Sequence, residues 1–227
     1  FKNEELRMYL FVVFSCIILI TLNISHMYGG ILEGLRYASF QVATIISTTG
    51  YATTDFNLWP MFSKGILLLL MVLGACAGST AGGIKVSRFV IILKKIRLDI
   101  QRLVHPQKVE AITMDGKVVD DSVVSQIMAY FGCFMLILFA CIFLVSLDNL
   151  DFETTVSSVF TCIGNVGPAF GLAGPMGNFA MYSDFSKLVL SFAMLVGRLE
   201  IYPVLIFLFP LFKLPDMCRR KKFNKMD

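Results

Sequence analysis

"FSKGILLLLMVLG" (Phe62–Gly74) and "FSKLVLSFAMLVG" (Phe185–Gly197) align without a gap, 123 residues apart. They share Phe-Ser-Lys, the leucines Leu67 and Leu190, the methionines Met71 and Met194, and the closing glycine. Upstream of each lies a shorter segment of mixed character, "LRYASFQVATIISTTGYATTD" (Leu35–Asp55) and "DFETTVSSVFTCIGNVGPAFG" (Asp151–Gly171). Each ends at a glycine among small polar residues. Gly50 and Gly167 are 117 residues apart, so the second copy carries six extra residues before its FSK. A repeat of this kind marks a duplicated architecture.

The solvent of that architecture follows from composition. Of 227 residues, 56% are hydrophobic and only 16% charged, with a mean hydropathy of +0.74. These values identify an integral membrane protein. Apolar stretches run over Met8–Ile24, Ile66–Leu93 with a glycine-rich break, Ile127–Leu147 and Leu188–Phe212. Each is near the roughly 20 residues that a bilayer-spanning helix requires. Two basic residues balance two acidic ones in Phe1–Arg7, and no small-residue cleavage site follows, so no signal peptide is expected. The missing initial Met suggests a fragment. The six cysteines, Cys16, Cys76, Cys133, Cys141, Cys162 and Cys218, form no C-x-x-C pair and read as small hydrophobes.

Charge sets the orientation. Lys85, Arg88, Lys94, Lys95, Arg97, Arg102 and Lys108 face a single acid, Asp99, and the tail adds Lys213, Arg219, Arg220, Lys221, Lys222 and Lys225. Both segments, and both chain ends, are therefore expected in the cytoplasm. Glu33, Asp55, Asp148, Asp151, Glu153 and Asp184 mark the opposite face. The net charge of +4 reports this topology and not nucleic-acid binding.

The repeated unit is then a span, a short helix, a polar turn and a second span. Leu35–Ser47 makes about 13 helical residues, roughly 20 Å, too short to cross a bilayer. A re-entrant helix is the expected form. Backbone that leaves a helix at membrane depth must be buried in protein or line a wet cavity. The turns Thr48, Thr49, Gly50, Tyr51 and Asn165, Val166, Gly167, Pro168 are accordingly expected on a pore axis. There their carbonyls replace the hydration shell of a monovalent cation, aided by the partial negative charge of each short helix's carboxyl end. The alternative is a helix end capped by Ser47, Thr48 and Thr49 in an external loop.

"GACAGSTAGGIKVSR" (Gly74–Arg88) interrupts the first FSK helix. Gly74, Gly78 and Gly82 have the spacing of a helix-packing face. A phosphate loop is excluded, because Ile84 follows Gly83 where lysine is required. The remaining reading is an unwound intramembrane loop, Gly78, Ser79, Thr80, Ala81, Gly82 and Gly83. Its carbonyls would be partnered by a buried Arg198, which occupies the position aligned with Ala75 and stands beside Glu200. A buried arginine in a span requires such partners. Lys85 is expected at the cytoplasmic exit or as a snorkelling anchor. Arg88–Lys108 reads as a cytoplasmic continuation of the helix or a headgroup-facing one, and Asp115-Gly116 as a hairpin turn. His26 and His105 stand too far apart for a metal site or catalysis.

Taken together, "STTGYATTDFNLWP", "GACAGSTAGGIKVSR", "RLVHP", "NVGPAFG" and "LSFAMLVGRLEIYPVLIFLFP" resemble the potassium-translocating subunit of the Trk/Ktr/HKT superfamily, in its TrkH branch. The resemblance implies an all-α integral membrane protein of M1-P-M2 potassium-channel-like repeats with re-entrant pore helices and a broken M2. This chain would carry repeats three and four of four. The implied division is 1–108 for one repeat, 109–124 for a cytoplasmic connector and 125–227 for the other. In the family the glycine-rich segment acts as the gate and the arginine closes it. Also implied are potassium as cargo with no covalent cofactor, a homodimer, a cytosolic nucleotide-binding regulatory ring, surrounding lipid and a prokaryotic inner membrane. The missing N-terminal repeats would complete the pore. Gly164-Asn165 stands where relatives often carry two asparagines, and Ala169 replaces a frequent glycine.

Sodium or mixed sodium and potassium transport on the same fold is the nearest alternative. An alternating-access carrier is disfavoured because both copies run in the same direction, not inverted. No nucleophile, base and orienting acid occur together, so an enzyme is not expected.

Overall fold

The computed structural model describes residues 3–105 and 111–199. Among the described residues, seven α-helices, three short 3-10 helices and one two-stranded hairpin make up the regular structure. Helix α1 (Glu4–Ile24) is capped by the Asn3 side chain, which accepts from the Leu6 N–H at 2.9 Å, with Glu4 and Glu5 in its first turn. That arrangement suits the positive end of a helix. Helix α2 (Ile31–Ile46) follows Gly30, and α3 (Met61–Val72) follows Pro60. Helix α4 (Val86–Val104) follows a non-helical segment. Strands β1 (Thr113–Met114) and β2 (Lys117–Val118) pair antiparallel across Asp115 and Gly116, both at positive φ (52° and 78°), the geometry tight hairpins favour. Helices α5 (Asp121–Val145), α6 (Phe152–Gly164) and α7 (Asp184–Leu199) complete the described chain.

Helices α1, α2 and α3 enclose one apolar cluster, which includes Ile20, Val42, Ile45, Leu67 and Met71. Helices α5, α6 and α7 enclose a second through Phe134, Leu138, Val159, Ile163, Leu190 and Val196. The units are not separate. Val166 and Phe170 lie in the first cluster and Ile84 in the second. Between them, the Lys64 ammonium on α3 pairs with the Glu153 carboxylate on α6 at 2.7 Å. A third cluster joins α4 to the hairpin and α5 through Ile91, Leu98, Ile112 and Val124.

The outer faces of α1 (Phe11, Phe14, Leu22) and α5 (Leu136, Phe139, Phe143) are exposed and apolar. Both helices have the length and composition to cross a membrane.

Two boundaries differ from the sequence expectation. Helix α2 begins at Ile31 instead of Leu35 and has 16 residues. Gly30, at φ +142°, turns the chain sharply into it, and the first turn of α2 sits against the end of α1, with a Cβ on Gly34 standing in ordinary contact 3.4 Å from Ser25 Cα. At about 1.5 Å per residue it remains shorter than a bilayer core. Helix α4 ends at Val104, with Lys108 outside the described residues. The Cys218 site and the basic tail also lie outside them.

Candidate functional site

The carboxyl ends of α2 and α6 finish in the same backbone pattern. Thr48 N–H donates to Ile45 O (3.0 Å) and Thr49 N–H to Thr44 O (2.9 Å). Asn165 N–H donates to Cys162 O (3.1 Å) and Val166 N–H to Thr161 O (3.0 Å). Every one of these atoms has its counterpart 117 residues away, the spacing that separates Gly50 from Gly167. Thr48 and Asn165 both hold φ 55°, the left-handed conformation that ends helices. Gly50 and Gly167, two residues further on, are also at positive φ, 81° and 117°.

The two turns touch. A Cβ on Gly50 would lie 2.2 Å from the Val166 carbonyl oxygen, and the Gly50 Cα stands 4.0 Å from where a Cβ on Gly167 would be. Gly50 is thus required twice, by its φ and by the approach of another backbone. The second turn is stapled by the Thr161 hydroxyl, which donates to Pro168 O (3.0 Å) and accepts from Gly167 N–H (3.0 Å). Its counterpart, the Thr44 hydroxyl, is buried and has no such bond. Tyr51 is 72% exposed.

Outside the turns, the Asn57 carboxamide donates to Gly171 O and accepts from Gly171 N–H, both at 3.0 Å. The Phe56 ring meets Phe170 edge-on at 5.5 Å. Trp59 Nε1–H donates to the Tyr28 hydroxyl (2.9 Å), itself 3.0 Å from Thr54 Oγ1. Asp151 caps α6, accepting from the Thr154 hydroxyl (2.6 Å) and N–H (2.9 Å). Those bonds, the hydroxyl first, hold its carboxyl below the usual aspartate range.

Beneath the turns the chain leaves α3 and makes a ten-residue excursion. Leu73 and Ile84 form a parallel bridge at its neck, with Gly74 N–H donating to Ile84 O and Ile84 N–H to Val72 O, both at 2.8 Å. Gly74, Gly82, Gly83 and Ile84 are buried, while 77–80 are exposed. The glycines are places where backbone meets backbone. A Cβ on Gly82 would lie 2.4 Å from Gly164 O, one on Gly74 2.4 Å from Gly82 O, and one on Gly83 2.6 Å from Val72 O. Gly82 therefore rests on the last residue of α6, directly under the second turn. Gly78, at φ 84° with open space around it, packs on nothing, so the Gly74-Gly78-Gly82 spacing forms no helix-packing face.

Three charged side chains hold this loop. The Arg198 guanidinium on α7 donates to the Thr80 carbonyl. Arg198, expected from sequence to be buried, is exposed among the described residues. Glu200 lies outside the described residues. The Lys85 ammonium folds back onto Ser79 O (2.7 Å) and Ala81 O (2.6 Å), since an unwound segment leaves carbonyls without intrahelical partners. Glu5, not singled out in the sequence, is 92% buried, its side chain accepting from Ala77 N–H (2.6 Å) and Ser87 N–H (3.1 Å).

Two helices long and apolar enough to cross a bilayer, with a duplicated pair of shorter helix ends meeting at glycine turns over an unwound segment, define an α-helical fold suited to a membrane. The chain belongs to the TrkH family of cation transport proteins, whose family model matches residues 7–215. Among curated relatives it is 35% identical over 208 residues to the Trk system potassium uptake protein TrkG of Escherichia coli K12, covering 90% of this chain and 42% of that protein. It is 36% identical over 184 residues to the TrkH of Halomonas elongata, covering 80% and 37%. The crystal structure of the potassium transporter TrkH from Vibrio parahaemolyticus superposes with a TM-score of 0.84 at 32% identity, over 93% of this chain and 45% of that one. The chain thus spans less than half the length of the relatives it matches.

Proposed function

We propose that this chain forms two of the filter turns, and the gate, of a potassium uptake pore. The observation that carries the reading is the contact between the Gly50 and Gly167 turns, with their hydrogen bonds repeated at a 117-residue interval, above a loop whose Gly82 sits on Gly164 O. The turns present carbonyls and the negative ends of α2 and α6 to a dehydrated monovalent cation. Two turns are half a ring, and the relatives' greater length leaves room for two further repeats of the same M1-P-M2 plan.

In this reading loop 78–83 blocks the path just inside the filter, held by Arg198 and Lys85. Potassium is the cargo, drawn inward by a membrane potential worth about 2.3 kcal/mol per charge per 100 mV. The protein lies in a bacterial inner membrane with α4 and the hairpin facing the cytoplasm. It pairs as a homodimer and meets a nucleotide-binding regulatory ring there. The relatives named as Trk system potassium uptake proteins support the cargo.

The test uses the full-length protein in proteoliposomes. Gly167→Ser should lower potassium-over-sodium selectivity, measured by reversal potentials, and Arg198→Ala should raise flux without changing selectivity. Native selectivity in the first variant and native flux in the second would sink the assignments. A native protein that passes sodium equally would establish the mixed-cation alternative.

A further inference from the structure

Helix α4 starts without a cap of its own: Lys85 at its N-cap position makes no side-chain capping bond, and no acid occupies its first turn. Its first N–H groups nevertheless need acceptors, and the positive end of the helix favours an anion. Glu5 supplies both from another helix. A single carboxylate oxygen accepts from Ser87 N–H, in the first turn of α4, and from Ala77 N–H, on the outgoing limb of the loop. It therefore ties the two limbs of the excursion to α1. Bonds to an ionised acceptor in a buried setting are the stronger kind, and Glu5 is 8% exposed.

The turn that carries Glu5 is itself held from the other side. Asp115, at the hairpin tip, accepts from Glu4 N–H (2.7 Å) and from the Asn3 carboxamide (3.1 Å). Glu4 pairs with Lys94 of α4, whose ammonium also donates to Thr113 O (2.6 Å). The first turn of α1 thus lies between the hairpin and the loop, with neighbouring residues bonded to each.

We propose that Glu5 is the positioning residue of the 74–84 loop, and that the 113–118 hairpin sets the position of Glu5 through Asp115. The proposal rests on the gate reading of the loop given above. A displacement of the hairpin by a cytoplasmic partner reaches the loop along Asp115, Glu4 and Glu5 without passing through the filter.

Cys76, beside Ala77 and half-buried, reports the loop directly. In the full-length protein, its modification by a methanethiosulfonate reagent is followed peptide by peptide by mass spectrometry, alongside potassium flux. Glu5→Gln keeps the shape and removes the charge, and should speed Cys76 labelling about tenfold, the scale of one charge-assisted hydrogen bond, with flux rising in parallel and selectivity native. Glu5→Asp, which keeps the charge, should fall between the two. Asp115→Asn, at an exposed position, should raise both readouts in the same direction by less. Native labelling in Glu5→Gln overturns the proposal whatever the chain conducts, and native labelling in Asp115→Asn overturns the hairpin route. Faster labelling with native flux keeps Glu5 as the loop's anchor and overturns instead the reading of the loop as the barrier.

Discussion

Replacing Gly50 by alanine tests the contact between the turns. At φ 81° an L-residue is strained by about 1–2 kcal/mol. The new Cβ would also stand 2.2 Å from the Val166 carbonyl oxygen, with Pro168 Cδ at 3.4 Å. Relieving that overlap moves one turn from the other by about 1 Å, and overpacking of this kind costs about 1–3 kcal/mol. Gly116→Ala is the matched control, with φ 78° and nothing within 4 Å of the added atom. It carries the conformational penalty alone. Thermal melts and potassium reversal potentials of the two variants should therefore diverge: Gly116→Ala slightly destabilised with native selectivity, Gly50→Ala more destabilised and less selective. Equal melts and equal selectivity would refute the contact as the determinant.

Three further outcomes follow from the packing and electrostatics. Gly197→Ala places a Cβ 1.8 Å from Ile163 O and 2.9 Å from the Asn165 carboxamide nitrogen, so it should lower the melting temperature by forcing α7 off α6, at about 1–3 kcal/mol. A double-mutant cycle on Lys64 and Glu153, whose side chains are 14% and 37% exposed, should give a coupling of about 0.5–1 kcal/mol, whereas the exposed Lys187–Asp184 pair should give a value near zero. Asp151 has a folded pKa below its unfolded value, so its contribution is complete above the ordinary aspartate range near 4 and is lost as pH falls through the lower folded value. Melts between pH 6 and pH 3 should fall more steeply for the native protein than for Asp151→Asn.

The duplicated turns are legible because each is coded locally, by a short helix, small polar residues and a glycine, although the β-branched Thr48, unlike Asn165, gives no sign of the left-handed backbone it adopts. The unwound segment was legible for a similar reason, since paired Gly82 and Gly83 beside Ser79 and Thr80 oppose helix. What holds that segment was not. Glu5 sits among balanced charges before an apolar span, where sequence offers only a flank, and its two donors are 72 and 82 residues away. Lys85, read from sequence as lying at the cytoplasmic exit or as a snorkelling anchor, also bonds carbonyls of its own loop, which nothing local in the sequence announces. The Asn57–Gly171 pairing across 114 residues is likewise a product of the two units meeting.

The most direct measurement is ion density at the turns. Crystals of the full-length protein soaked with thallium, a potassium surrogate, should give anomalous peaks beside the backbone oxygens around Gly50 and Gly167, above Gly82. Peaks confined to other regions, or turns enclosed by lipid with no ion beside them, would contradict the account.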